Sequence, residues 1–102
     1  MATEVRDHPD QSRYEVLVNG AVAGFAEYRR SSDRITINHT EVDDAYEGQG
    51  LGSVLVRHVL DAARDAGLDV LPSCPFTADW IERHPEYVDL VPEGARAAYG
   101  LA

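Results

Sequence analysis

"HTEVDDAYEGQGLGSVLVRHVLDAARDAG", His39 to Gly67, decides how this chain is read. Its first residues alternate in the manner of a strand. Glycines Gly48, Gly50 and Gly52 then stand at alternate positions, and a helical pattern follows. Leu51, Leu55, Val59, Ala62 and Ala66 fall on one side of it; Ser53, Arg57, Asp61, Arg64 and Asp65 fall on the other. Gly67 suits a C-terminal stop. Glycine weakens a helix unless a bare backbone is required. Closely spaced glycines at a helix start leave amide N–H groups unpaired where the helix dipole is positive, which suits them to hold phosphate.

Working outward, Tyr14–Val18 and Ala21–Arg29 read as strands joined by Asn19-Gly20, a strong hairpin signal. Arg30–Asp33 is a second turn. Arg34–Val42 then alternates, with Ile35, Ile37, His39 and Glu41 expected on one face and Thr36, Asn38, Thr40 and Val42 on the other. Downstream, Leu68–Pro72 reads as a short fourth strand. Pro75–His84 reads as a short helix with Phe76, Trp80 and Ile81 on its buried face. Glu86–Val91 reads as a last short strand. Residues 1–12 are expected to be frayed, 13–91 to form one domain, and 92–102 to be a mobile tail. The fold class is α/β (α+β): an antiparallel three-strand meander, a loop and helix, a fourth strand parallel to the third, a short helix and a short last strand.

The chain has 102 residues, which suits one domain with a modest core. At 44% hydrophobic it is ordinary for a folded protein. Its net charge is −9, and all of its basic residues besides histidine are arginine, so a nucleic-acid partner is not expected. The acidic balance suits solubility or a cationic substrate. No apolar run approaches the roughly 18–20 residues of a membrane span. The polar start is unlike a signal peptide, so a cytoplasmic location is expected. Cys74 is the one cysteine, so no intramolecular disulfide forms. The histidines are scattered, and no metal site is expected.

Three phosphate-binding schemes compete for the glycines. A P-loop needs a lysine, and the chain has none. A dinucleotide fingerprint needs a third glycine where Ser53 stands. The third scheme fits: "EGQGLG", Glu47–Gly52, resembles the (Gln/Arg)-x-x-Gly-x-(Gly/Ala) signature of the GCN5-related N-acetyltransferases. "PSCPF" and "HPEYVDL" follow in order. Together they look like the short single-domain branch of that superfamily, over Tyr14 to Val91. The resemblance implies a GNAT-like fold in which Gly50 and Gly52 are the motif glycines. Amides from Gln49 through Leu51 and Ser53 to Val54 would then hold the pyrophosphate of acetyl-CoA, with Val42 and Cys74 beside the rest of the cofactor. Glu47 departs from the pattern, standing where the family usually has Gln or Arg, and a carboxylate beside a pyrophosphate is unfavourable unless it points away.

Acetyl transfer also needs a deprotonated amine and a proton for the leaving thiolate. Glu41 or His39, at the strand end before the loop, is the candidate base. Each has a plainer reading as a solvated or hydrogen-bonding residue. Cys74 is either a covalent acetyl acceptor or a buried pocket wall. Tyr87 is a candidate acid or an ordinary half-buried aromatic. His84 is placed to cap the short helix. The expected activity is acetyl-CoA-dependent N-acetylation of a small-molecule or peptide amine by a monomer or weak dimer. The alternative is a CoA-binding module with little or no catalysis.

Overall fold

The computed structural model describes residues 2–101. Strands β1 (Thr3–His8), β2 (Arg13–Val18), β3 (Ala21–Arg30) and β4 (Arg34–Val42) form an antiparallel meander. Helix α1 (Leu51–Asp65) crosses back, and β5 (Asp69–Pro72) joins parallel to β4. The sheet order is β1-β2-β3-β4-β5. Helix α2 (Pro75–Arg83) and two 3-10 segments complete the described chain. Asn19 and Gly20, both at positive φ, make the β2–β3 hairpin as expected.

Both helices join one core. Leu55, Val56, Val59 and Leu60 of α1 are almost fully enclosed. They pack with Val16, Ile35, Ile37 and Val70 of the sheet and with Trp80 and Ile81 of α2. The buried stripe of α1 differs slightly from the expected one: Ala63 is enclosed, while Ala66 lies beyond the helix and is exposed. Thr77, Trp80 and Ile81 are the buried residues of α2, and Phe76 is exposed instead.

The start and end of the chain correct three expectations. Thr3–His8, read as frayed, is an edge strand paired along its length with β2. Val5 is its only apolar residue, so the segment shows no hydrophobic alternation. Side chains anchor it instead. The Tyr28 hydroxyl donates to Asp7 Oδ1 at 2.6 Å, and His8 Nε2 meets the buried Glu15 carboxylate at 2.8 Å. Glu86–Val91, read as a strand, lies mostly in the 3-10 helix Pro85–Leu90. Its buried residues, Tyr87 and Leu90, are three apart, the repeat of a 3-10 turn. The expected tail at 92–102 includes a second 3-10 helix, Glu93–Tyr99, and Ala95, Tyr99 and Leu101 rest against the core.

Replacing Leu55 with alanine removes a side chain with no exposed surface. The expected loss is about 2–5 kcal/mol of unfolding free energy, measurable by urea denaturation.

Candidate active site

A β-bulge in β4 decides which way the site residues face. Glu27 pairs with His39, yet Tyr28 pairs with Ile37, so Asn38 is an extra residue without a partner. Such a residue reverses the facing of every side chain beyond it. Ile35 and Ile37 are buried against the helices, whereas Thr40 and Val42 take over the inner positions past the bulge. His39 and Glu41 are thereby turned to the opposite face. They do not continue the Ile35–Ile37 face, as simple alternation implies.

On that opposite face Glu15, Phe25 and Glu41 stand directly across from one another on three strands. Arg13 lies over the Phe25 ring at 4.9 Å and is ion-paired to Glu15. Glu41 lines a hollow there with Arg13, Phe25 and Asp43. The His39 Nε2 to Glu41 Oε1 distance is 3.6 Å, and both side chains are more than half exposed.

The inner face carries a cleft of about 330 Å³. One wall is the glycine loop with Glu47, Leu51 and Ser53; the other is Phe76, Trp80, Arg83 and His84 of α2 and its cap. Val42 lines the same cleft. Asp43 opens the loop, its carboxylate accepting from the Ala45 amide at 2.9 Å. Gly48 and Gly50 have φ of +83° and +73°, which side chains other than glycine rarely adopt. Gly52 is constrained differently. A Cβ there would lie 2.8 Å from the Phe76 ring, so glycine lets α2 close against α1.

The first turn of α1 has no side-chain cap, and its first hydrogen bond runs from the Val54 amide to Gly50 O at 3.2 Å. The amides of Gly50, Leu51, Gly52 and Ser53 are therefore the open donors of this helix start. Gln49 is exposed in the loop, and its amide turns back to Tyr46 O at 3.4 Å. The Val54 amide is consumed inside the helix, so of the expected phosphate-binding set Gln49 and Val54 are already bonded, and Leu51 and Ser53 are open along with the motif glycines Gly50 and Gly52.

The β4–β5 ladder ends at Ile37 and Pro72. One further bond, from the Cys74 amide to Ile37 O at 2.9 Å, closes it. Among the described residues no ladder pairing joins β5 to the Asn38–Val42 part of β4. Cys74 sits at this fork, buried, at the start of α2. Burial pushes its thiol up. Hydrogen bonding from the Thr77 amide, with smaller effects from the Thr40 hydroxyl and the Phe76 and Thr40 backbone, outweighs burial, and the pKa is lowered. The Thr40 hydroxyl is near the thiol but outside good hydrogen-bond geometry, so it remains a weak polar contact and is otherwise unpartnered.

Tyr87 is not brought to the cleft. It is buried, and its hydroxyl donates to Asp61 of α1 at 2.7 Å and accepts from Arg57 at 3.3 Å. Burial and the Asp61 carboxylate raise its pKa. His84 caps α2 as expected. Its Nδ1 lies 2.7 Å from Trp80 O, and because a carbonyl only accepts, Nδ1 carries the proton. Arg83 was missed from sequence, though its place three residues after Trp80 on a helix is a spacing that puts both on one side. Among the described residues no group of three or more His, Cys, Asp or Glu is placed to hold a metal ion. No helix among them is long and apolar enough to cross a membrane.

The family profile described as GCN5-related N-acetyl-transferase matches residues 13–90, and the chain belongs to that family. It is similar to streptothricin acetyltransferase of Streptomyces lavendulae, 38% identical over 66 residues, which cover 63% of this chain and 35% of that one. The chain thus matches about a third of that relative's length. A GCN5-like protein of Staphylococcus aureus, solved in solution, is similar over 87% of both chains with a TM-score of 0.68 and 26% identity. An acetyltransferase of Elizabethkingia anophelis, solved with acetyl-CoA bound, shares the fold at a TM-score of 0.51 and 19% identity, over 61% of this chain and 45% of its own.

The lowered thiol pKa gives a direct test. Reaction of Cys74 with a small uncharged alkylating reagent is expected to rise with pH around a midpoint below that of the unfolded chain, because thiolate forms earlier in the folded state. A midpoint above the unfolded one would contradict the assigned amide hydrogen bonds.

Proposed function

We propose that this protein transfers the acetyl group of acetyl-CoA to an amine. The observation that carries the reading is the position of β4. Beyond Asn38 its β5-side edge has no ladder partner among the described residues, and consecutive residues line hollows on the two faces of the sheet: Val42 the glycine cleft, Glu41 the opposite hollow. Cofactor and acceptor then approach the same strand end from opposite sides. The open amides of Gly50, Leu51, Gly52 and Ser53 receive the pyrophosphate. The pantetheine arm runs along the free edge of β4 past Val42, which brings the thioester to the fork beside Cys74.

On the other face, Glu41, assisted by His39, takes a proton from the acceptor ammonium. The amine nitrogen attacks the thioester carbonyl, the C–N bond forms, the C–S bond breaks, and the CoA thiolate takes up the second proton that the attacking nitrogen sheds as it becomes an amide. The bonded, buried Tyr87 hydroxyl does not supply it in this reading; Cys74 shapes the acyl end. The carboxylates Glu41 and Asp43 beside Phe25 favour a cationic acceptor, either a small molecule or a peptide amine. The wide exposure of Glu41 also suits a second reading, a CoA-binding module without turnover.

Two measurements separate these. Acetyl-CoA is expected to raise the melting temperature while NAD does not, since a ligand at about a hundred times its Kd adds roughly 2.7 kcal/mol. No stabilisation by acetyl-CoA would reject both readings. CoA release with a panel of cationic amines is expected in the wild type. Glu41→Gln should lower it by roughly 100-fold or more, as expected for loss of a general base, with acetyl-CoA binding kept. Turnover unchanged in that variant would remove Glu41 from the mechanism.

A further inference from the structure

The glycine cleft carries a charge conflict. Its loop wall contributes the exposed Glu47 carboxylate, in a chain of net charge −9. A nucleotide diphosphate entering there meets repulsion that backbone dipoles offset only in part. The facing wall holds the opposing charge. Arg83, in the last turn of α2, lines the same cleft. Among the described residues it has no carboxylate partner; its recorded hydrogen bond is a long one, from Nε to Asp79 O at 3.4 Å. Both terminal guanidinium nitrogens are therefore left available for an anion. Arg64, by contrast, is spent on Asp89 at 2.8 Å, and Arg57 is turned onto the Trp80 and Tyr87 rings.

Arg83 is also held in register with the loop. The Trp80 indole N–H donates to Ser53 Oγ at 2.8 Å, tying α2 to the first turn of α1. The His84 ring stacks on the same indole at 3.8 Å. Arg83 lies one turn after Trp80 on the same side of α2, so the bond that fixes Trp80 sets the height of Arg83 above the open amides.

Resting on the acetyl-CoA reading above, we propose that Arg83 is the phosphate-binding side chain of this cleft, supplying from α2 the positive charge that position 47 of the loop lacks. The arginine fork suits a phosphate oxygen pair. Its target is a phosphate of the CoA nucleotide, either the pyrophosphate or the ribose 3′-phosphate.

Calorimetry on the whole chain tests this. Wild type and Arg83→Gln are titrated with CoA and with 3′-dephospho-CoA at low and high ionic strength. Arg83→Gln is expected to bind CoA roughly 10-fold to 100-fold more weakly at low salt, as for a lost hydrogen bond to a charged group. The gap should narrow as salt rises, since it is an ionic contact. Arg83→Lys should recover part of the loss, and Glu47→Gln should bind more tightly than wild type. If the loss persists with 3′-dephospho-CoA, the contact is to the pyrophosphate; if it vanishes, the contact is to the 3′-phosphate; either supports the proposal. Wild-type affinity in Arg83→Gln, or a loss equal at both salt concentrations, overturns it and leaves the acetyl-CoA reading standing. Failure of the wild type to bind CoA overturns both.

Discussion

One unpaired residue, Asn38, fixes which side of the sheet each functional group serves. Without it, strict alternation would keep His39 and Glu41 under the helices with Ile35 and Ile37, and ionisable groups would be buried in the core. With it, Thr40 and Val42 turn inward and the ionisable pair turns to the open face. β5 contributes to the same end by stopping early. Pro72 is its last residue, and beyond it the Cys74 amide makes one more bond to β4 before α2 begins. A strand with a free edge and hollows on both faces is what a reaction between two separately bound partners requires.

A second constraint holds the cleft open at a defined width. Trp80 is almost wholly buried, yet its indole nitrogen needs an acceptor, and Ser53 supplies it from the first turn of α1. The short helix is thus fastened to the element whose first amides are unpaired at the cleft. Gly52 permits the closeness, because any side chain there would meet the Phe76 ring. The glycines of the loop therefore do different work. Gly48 and Gly50 supply backbone turns with positive φ, while Gly52 supplies room for α2.

Much of the architecture was legible in the sequence because local signals carried it. The Asn19-Gly20 hairpin, the helix from Leu51 with its stop at Gly67, and the parallel return of β5 all follow from local pattern and chain connectivity. The facing of His39 and Glu41 did not follow from simple alternation, although the slip of the apolar positions from Ile35 and Ile37 to Val42, out of phase by one residue, is the trace that the bulge leaves in the sequence. The edge strand at Thr3–His8 was hidden because side-chain anchors, Asp7 to Tyr28 and His8 to Glu15, hold it in place of an apolar stripe. Tyr87 looked chemical from its motif, yet its partner Asp61 lies 26 residues earlier, a contact that only the folded chain reveals. Arg83 was overlooked for the complementary reason: alone in sequence it is one arginine of nine, and the cleft gives it meaning.

In the proposed function, the start of α1 and the facing side of α2 bind one ligand, acetyl-CoA. Two-dimensional amide NMR during titration with acetyl-CoA tests it at the level of single groups. The amides of Gly50, Leu51, Gly52 and Ser53 and the indole N–H of Trp80 are expected to move together along one binding curve, while β1 amides stay in place. Unmoved glycine-loop amides at saturation, or shifts confined to the open face around Phe25, would contradict it.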